Sequence, residues 1–164
     1  MDKSWSVSDR LTLRLEVEEF YANYIACLDE ERFEQWPEFF TDDCFYQIIP
    51  RLNFERGLPM ATWRSEGRGY LLDRITAIRK TSVYGPRYMR RIVSAVRLIE
   101  QSAEGFDARA NYAAFETLPD EFTRVFSVGQ SHDAFTRIDG ALKLRRRVCV
   151  FDSELVPNSL VYPL

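Results

Sequence analysis

The sequence predicts an α+β fold in which N-terminal helices pack on a strongly curved antiparallel sheet. Three observations carry this. Apolar residues near the start recur with the helical period, whereas after Arg87 they alternate. Between Arg87 and Val156 there is one proline, Pro119, as expected where backbone N–H groups are needed for strand pairing. Short turn signals divide that span into four long strands. Helices first and strands second is the α+β pattern. A long helix in the hollow of a bent sheet leaves a cone able to hold a small ligand.

The elements follow in order. Ser6 to Asp9 has capping-box spacing, and the helix it opens runs to about Asp29. Leu13, Val17, Phe20, Tyr24 and Leu28 form its apolar stripe, widened by Tyr21 and Ile25, and Glu16, Glu18, Glu19 and Asn23 lie outside it. A second short helix is expected over Phe33–Phe40, with Trp36, Phe39 and Phe40 buried. Residues 44–49 alternate as a first strand, which Pro50 closes. Residues 51–67 read as a loop, with a short strand around Leu58–Arg64. A helix from about Gly69 buries Leu71, Ile75, Ile78 and Ser82 and stops at Gly85-Pro86. In the next strand Ile92, Val96 and Leu98 are expected on one face, with Val93, Ala95 and Ile99 on the other. Turns are expected at Ala103-Glu104-Gly105, Pro119-Asp120 and Asp139-Gly140, making a meander.

One domain spanning 1–164 suits a chain of 164 residues. The net charge of −3 speaks against nucleic acid as the main partner. No apolar run is long enough for a membrane span, and MDKSWSVSDR lacks a secretion signal, so a cytoplasmic location is expected. Cys27, Cys44 and Cys149 are odd in number and far apart, and read as buried, reduced thiols.

Among chemistry-bearing residues an absence is most informative. His132 is the one histidine. A Rieske cluster needs two Cys and two His, and a facial-triad iron site needs two His and a carboxylate. This chain cannot build either alone. His132 is either an ordinary hydrogen-bonded or surface histidine or a general base, and Asp133, its nearest acid in sequence, should point to the opposite strand face. Asp42 and Asp43 either form a turn or, with Tyr46, place an acid and a phenol in the hollow. Arg145, Arg146 and Arg147 stand in a strand. Arg146 is expected on the face of Leu142, Leu144, Val148 and Val150. Lys143, Arg145 and Arg147 share the other face with Cys149 and Phe151. An arginine among apolar residues must pair with a carboxylate or reach an edge, and a polar subunit interface or a salt-bridged sheet face accounts for these three better than a nucleic-acid platform. No phosphate loop or nucleophile elbow occurs.

Several stretches in order carry a resemblance: residues 28–43 (LDEERFEQWPEFFTDD), 73–79 (DRITAIR), 88–93 (YMRRIV) and the tail 156–164 (VPNSLVYPL). Together they resemble the small (beta) subunit of the terminal oxygenase in aromatic-ring-hydroxylating Rieske dioxygenases. The resemblance implies a cystatin/NTF2-like cone of the scytalone-dehydratase type. It also implies a large (alpha) partner subunit, typically three alpha with three beta. That partner would carry the [2Fe–2S] Rieske cluster, the mononuclear Fe(II) and the substrate pocket. Electrons would arrive from NAD(P)H through a reductase and ferredoxin. This chain is then a mainly structural subunit with no catalytic, cofactor or metal residues of its own. Residues 55–59 and 136–144 look nearest to members acting on aromatic carboxylates (salicylate, terephthalate, benzoate or anthranilate), as mono- or dioxygenases. Arg87, Arg90, Arg91, Arg145, Arg146, Arg147 and Tyr162 are the expected subunit contacts, and the apolar tail is expected to dock on something. The competing expectation is a stand-alone isomerase or dehydratase using Asp43, Tyr46 and His132 in the cone.

Overall fold

The computed structural model describes residues 5–81, 84–153, 155 and 160–164. Helix α1 (Val7–Asp29) begins where the capping spacing places it, with the Ser6 hydroxyl accepting the Asp9 N–H at 3.1 Å. It buries Val17, Tyr21, Tyr24, Cys27 and Leu28. A 3-10 helix (Phe33–Phe39) presses Phe33 and Trp36 into the same core and leads into β1 (Phe40–Pro50). Pro50 closes that strand, and its backbone also sets the start of α2 (Arg51–Glu55), a turn of helix where a loop was expected. The short strand expected around residues 58–64 is β2 (Trp63–Glu66), starting later. Helix α3 (Arg68–Lys80) buries Leu71, Ile75 and Ile78 as the spacing predicts; Ser82 lies outside the described residues.

The meander follows as β3 (Tyr88–Ser102), β4 (Gly105–Thr117), β5 (Arg124–Ile138) and β6 (Ala141–Phe151). The three turns fall where expected. Asp139 and Gly140 both have positive φ, 51° and 83°, as a tight hairpin turn requires. The sheet order is β2-β1-β6-β5-β4-β3, antiparallel throughout except that β1 and β6 run parallel. The helices cover the hollow side, giving the NTF2-like cone.

Two bulges overturn the simple alternation. In β3 the register shifts between Ser94 and Arg97, around Ala95 at φ 53°. Val96 and Leu98 therefore face inward with Met89 and Arg91, while Ile92 is 54% exposed on the outside. In β6 the pairing slips between Leu144 and Arg146. Leu144 joins the inner core with Cys149 and Phe151, and Arg146 shares the outer face only with Val148 and Val150. An inserted residue reverses every later side chain, which period-two counting cannot see.

The sheet also needs bare backbone at Gly129 on β5. A Cβ on Gly129 would lie 1.9 Å from the Val150 carbonyl oxygen on β6. Gly129→Ala should therefore lower stability by about 1–3 kcal/mol through forced strand separation. Denaturant unfolding tests this, and a midpoint equal to wild type would contradict it.

Candidate functional site in the cone

The hollow is where a cone-shaped enzyme would keep its substrate, so its contents decide what this chain can do. Tyr21 and Tyr24 project from α1, Trp36 from the 3-10 helix, Tyr46 from β1, Asp133 from β5 and Arg147 from β6, all buried. The Tyr21 hydroxyl donates to Asp133 Oδ2 at 2.6 Å, and Arg147 Nη1 donates to the same oxygen at 2.7 Å. The Arg147 guanidinium also lies over the Tyr24 ring, 4.6 Å from its centroid. Burial raises the Asp133 carboxyl above its ordinary range, with Arg147 and the Tyr21 hydrogen bond opposing. Burial likewise pushes the Cys149 thiol up to about 11, so it is no nucleophile at neutral pH.

The remaining space is taken by the chain itself. The Leu164 backbone oxygen accepts from the Tyr24 hydroxyl at 2.8 Å and from the Tyr46 hydroxyl at 3.2 Å, and the Leu164 N–H donates to the Tyr46 oxygen at 2.9 Å. Trp36 Nε1 donates to the Tyr24 oxygen at 2.8 Å, orienting it. Arg91 Nη2 donates to the Pro163 carbonyl at 2.6 Å, and Arg74 Nη2 to the Leu160 carbonyl at 2.9 Å. Tyr162 packs on Phe33, ring centroids 4.8 Å apart, and Leu164 is buried. Beside Leu164 a cavity of about 20 Å³ remains, lined partly by Ile48, Phe126, Phe151 and Leu160, room for about one water molecule. The apolar tail thus docks, but on its own cone.

Asp43, Tyr46 and His132 do not converge. Asp43 is exposed, whereas Tyr46, three residues along β1, is sealed among Trp36, Trp63 and Leu164. His132 alternates with the inward Asp133 and so faces outward, where its ring meets Phe54 at 4.8 Å. Partial burial, then Arg109 and Arg146, lower its pKa, the reverse of what a carboxylate-assisted base would show. The stand-alone enzyme built on these three residues is therefore corrected: Tyr46 is sealed in the core, while Asp43 and His132 lie outside it.

The expected contact residues divide into two groups. Arg91 is 7% exposed and forked onto Asp29, with Nη1 to Oδ1 at 2.6 Å and its N–H to Oδ2 at 3.1 Å. Arg147 is bound to Asp133, Arg87 Nη1 reaches the buried Glu116 at 2.8 Å, and Tyr162 is inside the cone. Arg90 stays at the surface, its side chain 77% exposed. Arg145 and Arg146 sit on the rim with Glu104 and Asp107. Asp29, Glu116 and Asp133, which hold the buried arginines, were not singled out in the sequence for that part. An arginine in a strand signals that some carboxylate is near, but the phase that would say which was hidden by the bulges.

Among the described residues no three His, Cys, Asp or Glu side chains lie together as a metal site would need. Donors for a Rieske cluster or a mononuclear iron do not fit anywhere in this part of the chain. No helix among the described residues is long and apolar enough to cross a membrane.

A cone occupied by residues 160–164, with Asp29, Glu116 and Asp133 each paired to an arginine, defines an NTF2-like subunit. The comparisons with known proteins give the family. Residues 25–158 match the profile described as ring hydroxylating beta subunit. The chain is 31% identical over 150 residues, 92% of its length and 97% of the relative's, to terephthalate 1,2-dioxygenase terminal oxygenase component subunit beta 2 of Comamonas. It is 29% identical over 141 residues, 86% of this chain and 88% of the relative, to the anthranilate 1,2-dioxygenase small subunit of Burkholderia cepacia. Among solved structures, the beta subunit assigned to an aromatic-ring-hydroxylating dioxygenase of Novosphingobium aromaticivorans superposes with a TM-score of 0.84 at 33% identity, covering 93% of this chain and 96% of that one. The chain belongs to the family of ring-hydroxylating beta subunits. The complex that such a subunit serves is a ring-hydroxylating oxygenase, and membership implies a large partner subunit.

Proposed function

We propose that this chain is the non-catalytic assembly subunit of a multicomponent Rieske oxygenase that hydroxylates an aromatic carboxylate. The filled cone carries this reading: Tyr24, Tyr46, Arg74 and Arg91 hold residues 160–164 where a substrate would sit. The single histidine supports it, because the iron sites of such an oxygenase need more. The large subunit would then hold the Rieske cluster, the mononuclear iron and the substrate, in an assembly of three alpha and three beta chains in the cytoplasm. A ferredoxin and reductase would deliver electrons from NAD(P)H. The substrate class rests on relatives named for terephthalate and anthranilate, both aromatic carboxylates. Arg90, Arg145 and Arg146 keep exposed charge for subunit contact, while Arg87, Arg91, Arg147 and Tyr162 serve assembly by keeping the cone rigid.

Asp43→Asn and His132→Gln, made separately in the assembled complex with its electron-transfer partners, should each leave turnover of an aromatic carboxylate within about twofold of wild type, below about one kcal/mol of barrier. A tenfold loss in either, with assembly intact, would restore a catalytic role to this chain.

A further inference from the structure

The outer face of the sheet carries a row of bases that the fold itself leaves unanswered. Across three neighbouring strands Arg97 pairs in register with Arg109, and Arg109 with His132. All three point away from the cone, because their neighbours Val96, Leu98, Ala108, Ala110, Ser131 and Asp133 are buried inside. Like charges directly opposite one another on a sheet are destabilising. Among the described residues, neither Arg97 nor Arg109 makes an ion pair. The next rung pairs Glu100 with Asp107, but Asp107 is bonded to Arg146 at 3.1 Å, and among the described residues Glu100 makes no ion pair with either arginine. The arrangement runs against the sign of a chain whose net charge is −3 and which has 25 acidic residues against 22 Lys and Arg.

The same face continues into apolar ground. One rung toward the start of β3, Gln130 and Asn111 join their amides at 3.2 Å beside Ser94. Beyond them Ile92, Ala113 and Val128 form an apolar rung, and Val125, 61% exposed, lies next to Phe115. An apolar patch flanked by arginines, with few acids, has the make-up of a protein interface. Charge complementarity selects the occupant: carboxylates set to meet Arg97 and Arg109 would relieve the repulsion that the isolated chain carries.

We propose that the outer face of β3, β4 and β5 docks an acidic segment of the large oxygenase subunit, with Arg97 and Arg109 receiving its carboxylates and Ile92, Val125 and Val128 covered beside them. This rests on the reading that the chain works against a large subunit. It adds the face, the residues and the chemistry of the partner segment.

Arg109→Glu separates the proposal from an ordinary structural role, because its two effects have opposite signs. The substitution sets a carboxylate opposite Arg97, where the wild type has two arginines facing each other. The isolated chain should therefore melt at the same temperature or up to about 2 °C higher. The new carboxylate also stands against the partner's acids. Affinity for the large subunit, measured by titrating purified chains, should fall by about tenfold or more. The wild-type affinity should fall with added salt, and the variant's much less. Arg97→Gln, which adds no new charge, should show a smaller loss in the same direction and covers the case in which Arg109→Glu fails to fold. Unchanged affinity and salt dependence in a folded variant, beside a wild type that assembles, overturns this proposal alone. A wild type that captures no large subunit overturns the function reading and this proposal with it. Self-association of the chain alone that Arg109→Glu abolishes would assign the face to a second copy and overturn the acidic segment.

Discussion

Arg147→Met is expected to remove about 3–5 kcal/mol from the stability of the chain, because it strands the Asp133 carboxylate in the cone without its cation. That is a large share of the roughly 5–15 kcal/mol that holds a typical domain folded. Asp133 would still accept the Tyr21 hydrogen bond, but a neutral donor does not balance a buried charge. The sign with pH follows from the raised carboxyl pKa. A buried acid whose folded pKa exceeds its unfolded value, about 3.9, favours folding when protonated, and that contribution is lost as pH rises through the folded value. Removing Arg147 raises the Asp133 pKa further, so the gap between variant and wild type should be widest near neutral pH and should narrow as pH falls toward about 4. Denaturant titrations at several pH values read this directly. A cost below about 1 kcal/mol at neutral pH, or a gap that widens in acid, would show that the pair is not what neutralises the cone.

Deleting residues 160–164 is the second large perturbation. Tyr162 and Leu164 are both buried, and each such side chain is worth about 1.5–3 kcal/mol when removed from water. The deletion also takes partners from Tyr24, Tyr46, Arg91 and Arg74, with about 1–3 kcal/mol for each donor left buried and unmatched. Water entering the opened cone would satisfy some of these donors, so the sum overstates the loss. The truncated chain should melt more than about 10 °C below the full one and bind a dye for exposed apolar surface. Tyr46→Phe removes both hydrogen bonds between that hydroxyl and Leu164 and should cost about 1–3 kcal/mol, because the Leu164 N–H is left without its partner. Equal melting of the truncated and full chains would mean that the tail lies in the cone without holding it together.

The long elements were legible because their physics is local. The Ser6 cap, the stripe from Leu13 to Leu28, the proline scarcity after Arg87 and the Asp139-Gly140 turn each act over a few residues. What escaped was set by distant contacts. No rule within the 87–99 stretch reveals that Ala95 adopts positive φ and flips the face of Val96 and Leu98. Arg91 looked like a surface charge because Asp29, its partner, ends a helix far back in the chain. The apolar tail calls for a dock, but its proximity to Tyr24 and Tyr46 exists only once the cone has formed. The separation of Asp43, Tyr46 and His132 was partly within reach, since period two already sets His132 against Asp133.

The parallel pairing of β1 with β6 has a consequence for how this chain is made. Phe40 to Pro50 leave the ribosome long before their partners, Leu144 to Phe151. Until β6 arrives, only β2 and the neighbouring helices can cover β1, and one edge carrying Phe45, Ile48 and Ile49 stays open to any other strand nearby. The sheet cannot be completed in the order of synthesis. Nascent chains stalled before Ala141 are therefore the species most prone to clump, and chaperones that bind extended apolar strands should be found on β1 until the last hairpin is complete.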